Sequence, residues 1–184
     1  MALLAEQLVD EWLNRKGFFT LRGARSGVAE IDLLGVRQRD GALEGWHVEV
    51  QVSFRPVSYL SRLAKSDQDE LKAQSPTSAK ARPAHILQRG IDVWVEKKFR
   101  ANTKLGMRDQ VWPGIPRWKE FFVHGKVRDE QELAFIQKHG IELVPFSDVL
   151  DELSKPKKGQ VFGAAGTDIA EIIRYYEAKP DRKP

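Results

Sequence analysis

Acidic residues stand along this chain in an order that suits phosphodiester chemistry: Glu6, then Glu30-Ile31-Asp32, then Glu49-Val50-Gln51. Hydrolysis of a phosphodiester needs a divalent cation on hard oxygen ligands. The cation neutralises charge on a phosphorane-like transition state and lowers the pKa of a bound water. Two carboxylates from adjacent strands provide that clamp. Asp32 is expected mid-strand with Ile31 and Leu33 pointing the opposite way, and Glu49 mid-strand among valines. A carboxylate so placed costs free energy unless it is paired or metal-bound. Taken singly, each residue has a plainer reading: Glu6 as a solvated helix residue, Asp32 as a hydrogen-bonded structural carboxylate, Glu49 and Gln51 as the wet face of an edge strand.

The elements that must position these groups follow from periodicity. Residues 2–13 place Ala2, Leu4, Ala5, Leu8, Val9, Trp12 and Leu13 in one arc with Gln7, Asp10 and Glu11 opposite, an amphipathic helix that ends near Gly17 and carries Glu6 at the margin of its apolar face. Strands are expected at 18–21, 30–37 and 46–53. In the last, Trp46, Val48, Val50 and Val52 alternate with His47, Glu49, Gln51 and Ser53, one face core and the other polar. Residues 54–82 read as a loop with a short helix near 66–74, residues 84–99 as a helix, and 102–116, with Gly106, Pro113, Gly114 and Pro116, as a long loop. A strand at 118–124, a helix at 129–139, a strand at 141–145 and a helix at 146–153 make a β-α-β unit with parallel pairing. The expectation is an α/β domain over 1–154, a mixed central sheet flanked by helices. A basic, glycine-rich linker and a helix over 168–178 then pack on or extend the same domain. Gly159, Gly163 and Gly166 lack the lysine of a phosphate-binding loop and read as linker.

In its acidic residues and their order the chain resembles the PD-(D/E)XK nuclease superfamily, whose restriction-endonuclease-like core has a helix with a frequent Glu, a hairpin carrying Asp, and a strand carrying (D/E)-X-K. The matching residues are Glu6, Asp32, Glu49, Val50 and Gln51. The stretch from Gly17-Phe18-Phe19 through Arg25-Ser26-Gly27 is also similar to the archaeal Holliday-junction resolvase branch. The resemblance implies a metal-dependent DNA endonuclease using Mg²⁺ or Mn²⁺. Asp32, Glu49 and the Val50 carbonyl would hold the cation, Glu6 would bind a second ion or its water, and Gln51 would orient the attacking water. Homodimerisation is expected by the analogy that two strands need two active sites.

The departure lies at Gln51, where the family usually has lysine. An amide orients water but neither titrates nor carries charge. A lysine from elsewhere could substitute, with Lys65 and Lys72 as candidates. His47, Ser53 and Glu30 share faces with the motif residues and are secondary candidates. Arg22, Arg25 and Ser26, preceding the Asp strand, suit phosphate contacts, and Lys97, Lys98, Arg100, Lys104 and Arg108, near Trp112 and Trp118, form a basic run able to track a nucleic-acid backbone.

Composition sets the outer limits. Thirty Lys and Arg against 26 Asp and Glu give a formal charge of +4, which permits an anionic partner without naming one. The absence of cysteine excludes thiolate metal sites and cysteine nucleophiles, and four dispersed histidines make no zinc site. The N-terminus lacks a secretory pattern and no apolar run is long enough to span a bilayer, so a cytoplasmic protein without a membrane partner is expected. Two rival readings are a nuclease-fold module that binds nucleic acid without cutting it, and an assembly protein using the aromatics of 112–122.

Overall fold

The structure, a computed structural model, describes residues 2–53 and 58–155. The linker and helix expected beyond Lys155 lie outside these residues. The fold is α/β: helix α1 (Ala2–Arg15), strands β1 (Phe19–Ser26), β2 (Ala29–Arg39) and β3 (Ala42–Gln51), helices α2 (Lys65–Glu70) and α3 (Ala84–Val95), a π-helical turn (Glu96–Arg100), α4 (Asn102–Val111), β4 (Trp118–His124), α5 (Glu130–Lys138), β5 (Glu142–Pro145) and α6 (Phe146–Ser154). The five strands lie in sequence order in one mixed sheet. The β1-β2-β3 meander is antiparallel, and β4 and β5 add in parallel. Among the described residues no helix is long and apolar enough to cross a membrane.

One face of the sheet is an ordinary apolar core. Ala5, Leu8, Val9, Trp12 and Leu13 of α1 pack on Leu33, Trp46, Val48, Val50, Phe121 and Val123, and Trp46 stacks on Phe121 with ring centroids 3.9 Å apart. Burying one such large side chain contributes roughly 1.5–3 kcal/mol. From Leu4 to Leu13 the expected arc of α1 is therefore met, with two differences. Leu4 is partly exposed, and Glu11, expected on the wet side, is buried. Glu11 pairs with Arg15 at 2.7 Å while Arg15 donates to the Leu153 carbonyl, because α6 covers that side of the helix.

The opposite face carries α3, the π turn, α4 and α5. Ile86, Leu87, Ile91 and Val95 give α3 its buried stripe. The π turn widens the helix by one residue, which rotates the side chains that follow and buries Phe99. Helix α4 corrects the long loop expected over 102–116. Its inward stripe is Lys104, Met107 and Arg108, all buried, so two of the three positions are charged and no apolar period was visible. Gly45 lets the segment after α4 lie against the sheet, since a Cβ there would meet Ile115 at 2.8 Å and Trp118 at 2.9 Å.

A second correction concerns β2. Leu33 belongs to the α1-side core, but Ile31 packs with Leu34 and Met107 on the α4 side, so the strand does not alternate simply through Asp32. The register places Gly23 across from Asp32, between the pairs Arg22–Leu33 and Ala24–Ile31. Gly23 takes φ +64°, a left-handed conformation that glycine adopts without a Cβ clash and that turns the ribbon at this point.

Candidate active site

Asp32 sits where β2 and β3 part. Their pairing runs from Arg39–Ala42 to Leu33–Val48 and goes no further. Beyond it the Val50 N–H donates to Asp32 Oδ2 at 2.8 Å, so a carboxylate replaces the neighbouring strand as acceptor. The Gln51 carbonyl accepts from Gly125 on the β4 side. By strand alternation the Val50 carbonyl therefore faces the same gap as Asp32.

Glu49 is fully enclosed, at 0% exposure. Its Oε1 accepts from Lys104 Nζ at 2.5 Å and lies 3.0 Å from His47 Nε2, and its Oε2 accepts from Lys98 Nζ at 2.7 Å. His47 Nδ1 accepts from Arg108 Nε at 2.9 Å, which places the ring proton on Nε2 and lets it donate to Glu49. Burial, reinforced by the charges of Arg108 and Lys104, holds His47 well below its usual value, so it stays neutral. Arg108 is fixed in turn by the Phe99 carbonyl at 2.7 Å and by Glu120 at 3.0 Å. The polar face of β3 is thus not a wet face. It is a buried ionic network roofed by the π turn and α4.

The electrostatics are those of crowded acids with a cation among them. Desolvation, then the Glu49 charge, pushes Asp32 up to about 6. Glu6, half-buried on α1, is raised by burial and then by Asp32 and Glu30, which brings the helix carboxylate into the same field. For Lys98 burial works downward, but Glu49 and Asp32 more than offset it and the ammonium is held above its ordinary value. Lys104 is drawn down by burial despite Glu49.

Several expected site residues fall elsewhere. The ammonium groups on Glu49 come from Lys98 and Lys104, not from Lys65, which pairs with Asp69 on the surface, or from exposed Lys72. Lys104 and Arg108 are buried and bonded within the network, and Arg100 is bonded to Glu120 and the His139 carbonyl. The basic run is therefore not a surface track; of its members, Lys97 is exposed and Lys98 is half-buried against Glu49. Arg22 and Arg25 lie on β1, Arg25 exposed and bonded to Glu30 at 3.0 Å, with Ser26 exposed at the hairpin turn. Gln51 is half-buried at the end of β3 on the Glu49 side by alternation. Phe121 and Phe122 are buried, so 112–122 presents no continuous aromatic surface.

Sequence reading missed the roles of Lys98 and Lys104. The signal for Lys104 was its spacing of four from Arg108 with Met107 between, one helical face.

Among the described residues no group of three or more His, Cys, Asp or Glu side chains is arranged to hold a metal ion. A cation here would rest on Asp32, Glu49 and the Val50 carbonyl. These are hard oxygen donors suited to Mg²⁺ or Mn²⁺, and the Asp32 and Glu6 carboxyls are raised by burial first and by neighbouring carboxylates second. The donor set fits.

No family model matches the chain, and no curated protein does. A solved structure, "Crystal Structure of Protein of Unknown Function AF1548", is similar over 95% of this chain and 79% of its own, at 14% identity and a TM-score of 0.44. So distant a likeness carries no argument about activity.

Proposed function

We propose that this chain is a metal-dependent endonuclease acting on DNA, a member of the PD-(D/E)XK superfamily in which Lys98, delivered by the π turn, takes the part of the lysine that Gln51 replaces. The observation that carries the reading is the Asp32 carboxylate on the Val50 N–H at 2.8 Å, beside a Glu49 whose outer oxygen meets Lys98 at 2.7 Å. Two acids and an ammonium converge at the point where strand pairing opens.

A divalent cation on Asp32, Glu49 and the Val50 carbonyl would supply charge neutralisation at the phosphate and a more acidic water. The chain's own residues do the rest. Val50 N–H holds Asp32 in place. His47 and Lys104 fix the inner oxygen of Glu49. Lys98 supplies positive charge toward the phosphate, Gln51 orients the attacking water, and Glu6 adds negative charge from α1. Arg22, Arg25, Ser26 and Lys97 lie at the surface and suit sequence-independent phosphate contact. Nucleic acid is the partner this reading requires; a homodimer would bring two such sites to two strands.

Supercoiled and branched DNA incubated with Mg²⁺ or Mn²⁺ tests the proposal. Cleavage by the parent protein, abolished by EDTA and by Asp32→Asn, is the expected result. The complete enclosure of Glu49, both oxygens bonded, favours a second reading, a binding module that no longer cuts. Equal DNA affinity in EDTA and Mg²⁺ with no product would establish it and overturn the first.

A further inference from the structure

We propose that Lys98 is a tethered counter-ion: its ammonium occupies the outer oxygen of Glu49 in the cation-free protein and leaves that oxygen when a divalent cation binds. The inference rests on the metal-dependent reading above and adds a regulation of its site.

The two oxygens of Glu49 are held differently. Oε1 takes Lys104 at 2.5 Å and His47 at 3.0 Å. The Lys104 side chain is 7% exposed, and His47 is wedged between Glu49 and Arg108. Neither can withdraw without leaving a buried polar group unpaired, which is costly. Oε2 takes Lys98 at 2.7 Å, and the Lys98 side chain is 34% exposed. Its ammonium can swing into water and be hydrated there, so release from Oε2 costs far less. Asp32 and Glu30 also draw Lys98 into this field. A divalent cation shared by Asp32 and Glu49 would approach the same oxygen and meet the repulsion of the ammonium at contact distance, which Lys98, unlike Lys104, can relieve by moving into water. Lys98 is thus both a placeholder that makes a buried carboxylate tolerable without metal and a competitor that weakens metal binding. Once displaced, it is a free positive charge at the mouth of the site.

The test is Mn²⁺ affinity without DNA, by calorimetry and by electron paramagnetic resonance, on the parent protein and on Lys98→Met, Lys98→Gln, Lys98→Arg and Lys97→Met, with melting curves showing that each is folded. The two neutral Lys98 variants should bind Mn²⁺ roughly 10-fold tighter or more while cleaving DNA more slowly. Lys98→Arg should stay near the parent. Lys97→Met, which removes an exposed charge from the same turn, should change Mn²⁺ affinity by no more than about 2-fold. Equal or weaker Mn²⁺ binding in both neutral Lys98 variants, with the parent binding well, overturns this inference alone. A parent and variants that all fail to bind Mn²⁺ overturn the metal-dependent reading with it.

Discussion

Two glutamates in this molecule are equally buried, each at 0% exposure, and they are held in opposite ways. Glu132 on α5 accepts from the backbone N–H of Leu60 at 2.7 Å and of Ser61 at 3.1 Å, and from the Ser61 hydroxyl at 2.8 Å. Arg82 closes over the same segment through the Ser61 carbonyl at 3.0 Å. All three donors to Glu132 belong to residues 60 and 61, so that carboxylate pins a loop to a helix. Glu49 takes two ammonium groups and an imidazole, all on side chains, and lies beside a second carboxylate whose proton affinity it raises. Burial alone marks neither as functional. What separates them is whether the partners are mainly fixed backbone dipoles or are all side chains with one of them partly exposed, and whether a like charge stands next door.

The largest expected effect is a split in activity. Glu49→Gln should lower metal-dependent cleavage by about 10³-fold or more, a loss of roughly 4 kcal/mol of transition-state stabilisation, while Glu132→Gln cleaves at the parent rate wherever it is folded. Single-turnover rates below both melting points decide this, and an active Glu49→Gln would remove the contrast.

In stability the two should look alike at first. Glu132→Ala leaves three donors unsatisfied, and Glu49→Leu strands Lys104, each costing about 3–5 kcal/mol in urea denaturation. The difference lies in rescue. Adding Lys104→Met to Glu49→Leu should recover part of the loss, because the stranded charge is one side chain, whereas backbone N–H groups at 60 and 61 cannot be removed by substitution.

Asp32 sharpens the comparison through pH. Its folded value of about 6 lies above the ordinary 3.8, so the folded state keeps a proton that the unfolded chain has released. Metal-free stability should fall as pH rises from about 4 through about 6, by up to ~3 kcal/mol, and level off above. Asp32→Asn keeps an acceptor for the Val50 N–H and should abolish that fall, being more stable than the parent at pH 8 and similar near pH 4. Parallel pH–stability curves for the two proteins would contradict the burial of Asp32 beside Glu49.

The smallest expected effect is at Gln51. Gln51→Ala should slow cleavage about 10-fold, through lost orientation of water, since in the proposed site the charge is assigned to Lys98. A variant as fast as the parent would make Gln51 a strand-end residue without a part in the chemistry.

Much of the frame is legible in the local sequence. The α1 arc, the alternation of β3 and the β-α-β unit from Trp118 to Ser154 depend on short-range periods of 3.6 and 2 that local sequence displays. Helix α4 was not readable, because its inward face carries Lys104 and Arg108 and so has no apolar period. The break at Asp32 was not readable either, since it shows only once β1 and β2 are in register, with Gly23 across from Asp32.

The order Glu6, Asp32, Glu49, with the strand context of the last two, is determined by sequence, because backbone geometry fixes where consecutive side chains on a strand can point. Which cations meet Glu49 is decided only by the tertiary structure. Lys98 and Lys104 lie 49 and 55 residues further along the chain and reach Glu49 because the crossover from β3 to β4 lays the π turn and α4 over its polar face. No local spacing encodes that meeting. It comes from the packing of Phe99 with Phe122 and of Met107 with Ile31 and Leu34, which carries two charged side chains down with them and turns what alternation shows as a polar face into a buried one.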